Sequence, residues 1–326
     1  MSEPQQDICC TPAPQRDTTA TAVTPDLSLT GPPRPGSHTI GQSPVPAGMF
    51  TMGDAQGDGR PADGERPVHA VTLDAFSLDV TTVTVADFRR FAEATGYRTE
   101  AERCGSSAVF HTVVAAEPSD ILGAGARTPW WLGVRGADWR HPEGPRSDTA
   151  GREDHPAVHI TWNDAQAYCA WARRRLPTEA EWERAARGGV ECARYPWGDD
   201  APDRDGTWRC NIWQGSFPDV NTGEDGWITT APARSYTPNS FGLWQTVGNV
   251  WEWCQDIWSP RAYADRAYAA VPVHDPRGPA AGSRRVLRGG SYLCHGSYCD
   301  RYRNSARSAN TPDSSMGNAG FRTAAL

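Results

Sequence analysis

The sequence has 326 residues and a formal net charge of −7, and 22% of its residues are charged. No basic block is available to meet a nucleic-acid backbone or an anionic membrane, so we predict neither partner. No apolar run approaches the roughly 18 residues of a membrane-spanning helix, and the chain does not begin with a charged-then-apolar leader. We therefore expect a cytoplasmic protein.

The composition indicates a fold built from loops and aromatic packing. The chain contains 14 Trp, 32 Gly and 27 Pro residues, which is too much Gly and Pro for a mainly helical protein. Its nine cysteines cannot all pair, and in a cytoplasmic chain they indicate thiols rather than a disulfide framework. Something other than disulfides is expected to stabilise the fold.

The first segment of the chain, residues 1–42, is rich in Pro, Thr, Ser and Gly and has no apolar periodicity. Such a segment cannot bury enough apolar area to offset its ordering entropy, so we predict a disordered tail. The adjacent Cys9 and Cys10 are expected to be exposed thiols in it. We find no internal linker in the remainder, and residues 43–326 are predicted to form one domain.

The first regular elements follow one another directly. The stretch HAVTLDAFSLDVTTVTV (69–85) alternates and is rich in β-branched residues, which predicts a strand. The stretch VADFRRFAEATGY (85–97) places Val85 and Phe88 on one face of a helix that Gly96 ends.

Two further helices are predicted in the middle of the chain. WNDAQAYCAWARRR (162–175) has Asn163 or Asp164 near its N-terminal cap. PTEAEWERAARGG (177–189) begins with Thr178, and Glu181 completes a capping box. Short strands and loops follow, so the pattern indicates a mixed α+β domain with little regular secondary structure.

An unusual cysteine pair lies near the C-terminus, in GGSYLCHGSYC. Cys294 and Cys299 match neither the usual C-x2-C zinc spacing nor a redox dithiol. They could be two buried small side chains, a redox disulfide or a soft-metal site. Two thiolates without a clear third ligand favour Cu(I) over zinc. The neighbouring Ser291, His295 and Tyr298 offer hydrogen bonds to a thiolate or a reactive oxygen species.

The stretch RVLRGGSYLCHGSYCDRYRNSARSANTPDSSMGNAGFR (285–322) strongly resembles the C-terminal signature of formylglycine-generating enzymes, also called sulfatase-modifying factors. The resemblance covers nearly the whole globular part, including VPAGMFTMG, RLPTEAEWERAARGG, NIWQGSFPDVNTGEDGW and GLWQTVGNVWEW. It implies an α+β, C-type-lectin-like formylglycine-generating-enzyme fold that is rich in loops.

The resemblance also implies an activity: copper-dependent, O2-using oxidation of the cysteine of a C-x-P-x-R motif in sulfatases to Cα-formylglycine. Cys294 and Cys299 match the two cysteines that hold a single Cu(I), and Ser291 and Tyr298 match residues beside the oxygen-handling site. These four are the predicted catalytic residues. The implied partners are an unfolded sulfatase polypeptide and an external thiol reductant, and we expect a monomer.

Three substrate-binding residues follow from the same resemblance. By this match Trp251 is expected to line a peptide groove, and we interpret WEW as an alternation that turns one ring to the core and one to a groove. Asn318 matches a residue that contacts the substrate backbone, and His295 is a further candidate. The substrate arginine should meet an acid, but Ser106 stands where relatives carry Asp, so no acid is assigned.

Two structural Ca²⁺ ions are implied as well, although loops rich in Asn, Asp and Gly are by themselves typical of turns. Hard cations of this kind need six to eight oxygen ligands. The first ion maps to Asn211, Ile212, Asp225 and Trp227, and the second maps to Gln245, Gly248, Val250 and Glu252. Gln245 replaces the Asn expected at its position.

The disulfides of secreted relatives are missing here. Cys169 matches one half of such a bridge, but Thr323 stands at the partner position, and the other bridge maps onto Ala186 and Asn304. This pattern favours the bacterial type and a reducing compartment. Two alternatives remain: an iron-dependent sulfur–carbon bond-forming oxygenase on the same fold, and a non-catalytic binding module or inactive paralogue, which would be expected to lack the cysteine pair.

Overall fold

The computed structural model describes residues 38–269 and 271–326. The predicted tail, including Cys9 and Cys10, lies mostly outside the described residues. Its last residues are described and make contacts with the domain: His38 Nε2 lies 2.9 Å from Asp79 Oδ1, and Thr39 donates a hydrogen bond to Asp87 at 3.1 Å. These contacts are polar, which is why apolar periodicity did not reveal them.

The helices of the described part are short. They are α1 Val85–Thr95, α2 Glu100–Cys104, α3 Trp162–Ala172, α4 Glu179–Ala186 and α5 Ala262–Ala267. The three predicted helices are confirmed as α1, α3 and α4, whereas α2 and α5 were not predicted. None of the helices in the described residues is long and apolar enough to cross a membrane.

Capping boxes set where these helices begin. Thr178 accepts a hydrogen bond from the Glu181 N–H, and Glu181 accepts one from the Thr178 N–H, as the sequence predicted. The cap of α3 is Thr161, and Asp164, which was predicted to lie near the cap, is its reciprocal partner three residues later. Each box satisfies two N–H groups that the helix itself cannot pair.

Fourteen short strands form five separate sheets in the described residues. They are β1 Gln42–Val45, β2 Gly48–Met52, β3 His69–Leu73, β4 Phe76–Asp79, β5 Ser106–Phe110, β6 Ile121–Ala124, β7 Trp131–Arg135, β8 Gly215–Ser216, β9 Val220–Asn221, β10 Trp251–Ile257, β11 Val273–His274, β12 Arg285–Arg288, β13 Arg307–Asn310 and β14 Ala319–Gly320. The single strand predicted over 69–85 is wrong: β3 and β4 are two strands in different sheets.

One four-stranded sheet positions the cysteine segment. Its order is β13-β12-β10-β14, with β14 parallel to β10 and the other neighbours antiparallel. The chain leaves β12 at Arg288 and passes through the two cysteines before it returns as β13. The remaining sheets have orders β1-β4, β11-β3-β2, β5-β7-β6 and β8-β9.

Large aromatic side chains fill the main core, as the composition indicated. Six tryptophans are almost completely excluded from solvent: Trp131, Trp139, Trp182, Trp213, Trp251 and Trp253. Because each ring buries a large area, a few of them can complete an interior built mostly from loops. Both Cys294 and Cys299 belong to the hydrophobic cluster that contains all of these tryptophans except Trp182.

A second buried region is charged. We call it the charged core and define it as Glu179 and Glu183 of α4 with Arg288 of β12 and Arg307 of β13. Arg288 donates to Glu179 at 2.9 Å and to Glu183 at 2.6 Å, and Arg307 donates to both oxygens of Glu179. All four side chains are at most 1% exposed, so the helix is joined to the sheet by ion pairs that water does not reach.

Candidate active site

The cysteine segment begins with a glycine pair that only glycine can occupy. Gly289 and Gly290 follow β12 with φ angles of 92° and 72°. A Cβ on Gly290 would lie 2.5 Å from the carbonyl oxygen of Arg301, closer than a carbon and an oxygen can approach. The chain therefore turns tightly here, and the start of the segment packs against the residues that follow Cys299.

Both cysteines lie on one compact segment, residues 291–299, which we call the cysteine turn. The Cys294 N–H donates to the Ser291 carbonyl at 2.9 Å, and the Cys299 N–H donates to the His295 carbonyl at 3.0 Å. The side chains of Cys294 and Cys299 are 0% and 1% exposed. The structure thus brings the two predicted ligands into one buried turn.

Ser291 lies directly beside Cys294. Its backbone N–H donates to the Cys294 sulfur at 3.4 Å, and its side-chain oxygen accepts a hydrogen bond from Asn318 Nδ2 at 3.0 Å. Both Ser291 and Asn318 are completely buried. Asn318 was predicted to contact the substrate backbone, and in the structure it orients the serine hydroxyl.

Tyr298 and His295 occupy the more open side of the cysteine turn. The Tyr298 ring stacks on Phe217 with centroids 4.1 Å apart and meets the edge of Trp130 at 5.4 Å. His295 is half-buried, and its Nδ1 lies 2.7 Å from Ser297 Oγ. Neither Phe217 nor Trp130 was predicted as a site residue. Phe217 lies within the quoted stretch NIWQGSFPDVNTGEDGW, but no local pattern shows that its ring packs on Tyr298.

Trp251 does not line a groove, and this prediction is wrong for the structure described. Its side chain is 0% exposed, as is that of Trp253, whose indole donates to the Ile160 carbonyl at 2.9 Å. Because Trp251 and Trp253 are two residues apart in β10, their side chains point to the same face of the sheet, and both rings belong to the same hydrophobic cluster. The expected division between one ring in the core and one in a groove therefore does not occur. Trp251 approaches the site only through its backbone N–H, which donates to the Asn318 carbonyl at 2.8 Å.

The first predicted calcium set contains oxygens suited to a cation. Asn211 Oδ1 is buried and has no hydrogen-bond partner. The Asp225 carboxylate accepts hydrogen bonds from the Ile212 and Trp227 N–H groups at 3.1 and 3.0 Å, and burial raises the pKa of Asp225. A hard cation would give the Asn211 amide oxygen a partner and would balance the negative charge of the partly buried Asp225 carboxylate.

The second predicted calcium set is mixed. Gln245 Oε1 is also buried without a partner, while its Nε2 donates to the Pro232 carbonyl at 2.6 Å. Glu252, by contrast, accepts hydrogen bonds from Arg322 at 2.6 and 2.7 Å and from the Trp182 indole at 2.8 Å. An arginine already neutralises this carboxylate, so Glu252 has less need of a cation than Asp225.

The two calcium sets are neighbours. The Asn249 N–H donates to the Asn211 carbonyl at 2.8 Å, and Asn211 Nδ2 lies 3.1 Å from Asn249 Oδ1. Asn249 stands between Gly248 and Val250, whose carbonyls were predicted ligands of the second ion. A Cβ on Gly248 would lie 2.5 Å from the Asn211 carbonyl oxygen, so this close approach requires glycine.

Other ligand clusters are scarce. Within residues 38–269 and 271–326, one group of three His, Cys, Asp or Glu ligand atoms lies close enough to hold a metal, and it consists of Asp74, His274 and Asp275. All three are exposed: His274 is the last residue of β11, and Asp74 and Asp275 follow β3 and β11. Neither Cys294 nor Cys299 belongs to any such group, so the described residues offer no four-ligand zinc site at the cysteine turn.

The disulfide positions behave as the sequence indicated. Cys169 is a buried thiol, and burial raises its pKa above the usual value. Thr323, at the position of its missing partner, donates its hydroxyl to Asp79 Oδ2 at 2.6 Å. At the other bridge position, Asn304 Nδ2 donates to the Ala193 carbonyl at 3.0 Å. Hydrogen bonds thus occupy the positions at which secreted relatives are expected to carry disulfides.

The chain resembles known proteins over most of its length. Residues 32–325 match the Sulfatase-modifying factor enzyme 1-like domain family. The chain belongs to this family. A formylglycine-generating enzyme of Streptomyces coelicolor is 61% identical over 294 residues, which are 90% of this chain and 92% of that relative. A formylglycine-generating enzyme of Bos taurus is 50% identical over 296 residues, 90% of this chain and 76% of its own.

Two further matches carry other names. The inactive Cα-formylglycine-generating enzyme 2 of Bos taurus is 42% identical over 291 residues, 88% of each chain. The solved structure of PvdO from Pseudomonas aeruginosa superimposes with a TM-score of 0.62 at 23% identity, covering 87% of this chain and 93% of that one. The predicted family, its bacterial type and the α+β fold are confirmed, and the activity must be argued from the site.

Proposed function

We propose that this chain is a formylglycine-generating enzyme, which oxidises the cysteine of a C-x-P-x-R segment in a sulfatase to Cα-formylglycine and so activates the sulfatase. The observation that carries the proposal is the cysteine turn, in which Cys294 and Cys299 lie buried beside Ser291. The names of the relatives support the reaction. Because the family includes an inactive member, the retained cysteine pair is the stronger argument for activity.

The donor set fits a single Cu(I) ion. Two thiols are soft ligands, and a monovalent soft cation accepts low coordination numbers, whereas zinc in a structural site takes four ligands. Burial in an aromatic cluster keeps hard, hydrated cations away from Cys294 and Cys299. When bound, copper would supply the one-electron chemistry by which O2 reacts with a thiol.

The residues of the chain would orient and shield that chemistry. Asn318 fixes the hydroxyl of Ser291, so this hydroxyl can present a hydrogen bond at a constant position next to Cys294. Tyr298 is held by its stacking on Phe217, with its phenol on the more open side of the turn. We assign His295, on the same side, to substrate contact rather than to the transfer of electrons.

The overall reaction defines the co-substrates. Oxidation of the CH2–SH group to a thioaldehyde withdraws two electrons from the cysteine, and hydrolysis then takes up one water and releases H2S to leave the aldehyde. Reduction of O2 to two water molecules consumes four electrons. The other two electrons and two protons come from an external thiol reductant. We further propose that the enzyme is a cytoplasmic monomer that acts on unfolded sulfatase polypeptide, since an extended segment can bond through its backbone.

We also propose that Ca²⁺ stabilises the two oxygen-rich loops. Support comes from two buried amide oxygens without a partner, those of Asn211 and Gln245. The carboxylate of Asp225 is the principal charged ligand of the proposal, and Glu252 contributes less because Arg322 already pairs with it. The ions would tie loops together in a domain for which no structural disulfide is expected.

Co-production with a sulfatase tests the activity. The chain is expressed in a host without formylglycine-generating activity, together with a sulfatase that carries a C-x-P-x-R motif, and the motif peptide is analysed by mass spectrometry. We expect formylglycine in the motif and sulfatase activity. The host alone and the Cys299→Ser variant are the controls, and an unmodified motif cysteine alongside folded wild-type chain would refute the proposal.

Metal analysis separates the proposal from the iron-dependent alternative. The purified chain should bind about one Cu(I) with two thiolate ligands. An iron-binding chain without copper affinity would favour the sulfur–carbon bond-forming oxygenase. In the described residues the lone three-ligand group that contains a histidine is exposed and lies outside the cysteine turn, which favours copper.

A further inference from the structure

Two acidic residues far away in the sequence contact the chain just beyond Cys299. Asp63 accepts hydrogen bonds from Arg301 Nε at 2.6 Å and Nη2 at 2.8 Å. Glu65 accepts hydrogen bonds from Arg303 Nη1 at 2.8 Å and Nη2 at 2.9 Å. Each pair uses two parallel N–H donors, which fixes the angle between the partners as well as their distance. We call Asp63 and Glu65 the acidic clamp.

The clamp is buried. The exposed fractions of Asp63, Glu65, Arg301 and Arg303 are 7%, 1%, 4% and 1%. Buried charges of this kind tolerate little movement, because separating them leaves each one desolvated and uncompensated. The clamp therefore holds the segment after Cys299 in one place much more firmly than surface ion pairs could.

Further contacts join the same two segments. Arg60, just before the clamp, donates to the backbone carbonyl of Tyr298 within the cysteine turn. Arg303 also donates through Nε to the Asp300 carbonyl at 2.8 Å, which ties its guanidinium to the residue that follows Cys299. Loop 60–65 thus contacts the cysteine turn and both arginines that follow it.

The first half of the cysteine turn is attached elsewhere. The Trp213 N–H donates to the Cys294 carbonyl at 3.0 Å, which links Cys294 to the aromatic core. The part of the turn around Cys299 lies between half-exposed residues, such as His295 and Tyr298, and the clamped arginines. The backbone at Cys294 and the segment that follows Cys299 are therefore anchored by different parts of the chain, Trp213 and loop 60–65.

We propose that the acidic clamp is a positioning element of the active site, which sets Cys299 relative to Cys294 so that both sulfurs can bind one metal ion. The inference rests on the proposed function for its purpose, but the positioning itself is a property of the metal-free protein. A two-thiolate site needs its sulfurs at a fixed separation, and a rigid support for ligands determines how well such a site binds.

Thiol labelling of the metal-free, full-length protein tests the inference. In Asp63→Asn, Arg301 loses its charged partner, so the Cys299 end of the turn should open more often. We expect Cys299 to react with a thiol reagent about tenfold faster than in wild type, whereas Cys294 changes less. The rates are read for each cysteine by mass spectrometry of the labelled peptides.

A general loss of stability would also accelerate the labelling of buried cysteines outside the cysteine turn. Cys254 is completely buried in β10 and away from the turn, so its labelling reports global unfolding. Glu181→Gln is the matched control, because it breaks another two-donor pair, with Arg175 at 2.7 Å, at the start of α4. If Cys254 and Cys299 accelerate together in Asp63→Asn, or if Glu181→Gln exposes Cys299 equally, the positioning role is wrong.

A second variant and a measurement of copper affinity keep the inference testable if Asp63→Asn does not fold. Arg301→Lys keeps the charge but loses the planar two-donor geometry, so its Cys299 labelling should lie between wild type and Asp63→Asn. Competition with a chromophoric Cu(I) chelator should show about tenfold weaker copper binding in Asp63→Asn than in Glu181→Gln. If labelling of Cys299 and copper affinity were unchanged in both Asp63→Asn and Arg301→Lys, the inference would be overturned. If the wild-type protein failed to bind copper, the proposed function would be refuted instead.

Discussion

The cysteine turn and the charged core are both buried, yet they are built in opposite ways. The turn holds two thiols among aromatic rings and has one half-exposed side. The charged core joins α4 to the sheet through carboxylates and guanidinium groups that are at most 1% exposed. Burial alone would raise the pKa of Glu183, but Arg187 and Arg288 hold it below its usual value.

The difference indicates a division of roles. Ionised groups that each have several partners resist movement and suit a support, whereas thiols with room on one side can exchange partners with a metal and a substrate. In a domain for which no structural disulfide is expected, the charged core and the oxygen-rich loops then provide stability and the turn provides chemistry. Variants in the cysteine turn should therefore lower activity, whereas variants in the charged core should lower the free energy of unfolding.

The largest expected effect is on activity, from either Cys294→Ser or Cys299→Ser. A hydroxyl is a hard, weak donor for Cu(I), so kcat/KM for a C-x-P-x-R peptide should fall about a thousandfold or more, and tight copper binding should be lost. The melting temperature without metal should stay within about 3 °C of wild type. A variant that retained copper and turnover would break the assignment of chemistry to the turn.

The next effect is on stability, from Glu183→Gln in the charged core. The change weakens contacts with Arg187, Arg288 and the Gly53 N–H. Loss of one partner from a buried ion pair costs about 3–5 kcal/mol, which urea unfolding would measure. Turnover per folded molecule should remain within about twofold. Equal losses of activity and stability would show that the two regions are not separable.

Calcium should stabilise the protein by a smaller amount. At a hundredfold excess over its dissociation constant, Ca²⁺ bound only to the folded state adds about 2.7 kcal/mol, so chelation should lower the melting temperature. Asp225→Ala should abolish most of this response. Glu252→Gln should lower the melting temperature even in chelator, because it disrupts the pair with Arg322. Identical melting of wild type with and without Ca²⁺ would show that the loops are ordinary turns.

The smallest effect is a pH dependence at Asp256, beside the charged core. Burial raises the pKa of Asp256 to about 6, and the negative charge of Glu179 adds to this. Because this folded-state pKa lies above the unfolded value, its contribution to stability is present at low pH and is lost as the pH rises through about 6. Between pH 4 and 7 the loss should be about 1–3 kcal/mol.

Asp256→Asn isolates that contribution. An amide oxygen can still accept the hydrogen bond that Asp256 Oδ2 receives from the Glu179 N–H at 2.8 Å, but it does not ionise. The difference in unfolding free energy between wild type and variant should therefore change between pH 4 and 7, at constant Ca²⁺. A difference that is the same at every pH would contradict the raised pKa.

Features encoded by neighbouring residues could be predicted from the sequence. The capping box of Thr178 and Glu181 and the cysteine pair each lie within one short stretch, so their geometry follows from local spacing. The clamp joins Asp63 to Arg301 across most of the chain, and no local pattern marks it. The groove expected at Trp251 failed for a different reason: two residues that are two apart in a strand share a face, and here that face lies in the hydrophobic core.

The central claim is that the cysteine turn oxidises a sulfatase cysteine, and one measurement tests it most directly. Purified chain loaded with Cu(I) is incubated with a synthetic C-x-P-x-R peptide, a thiol reductant and O2, and the peptide is analysed by mass spectrometry. The account predicts a product that has lost H2S, gained one oxygen and reacts as an aldehyde, with none formed when O2 is removed. An unchanged peptide in the presence of folded, copper-loaded protein would contradict it.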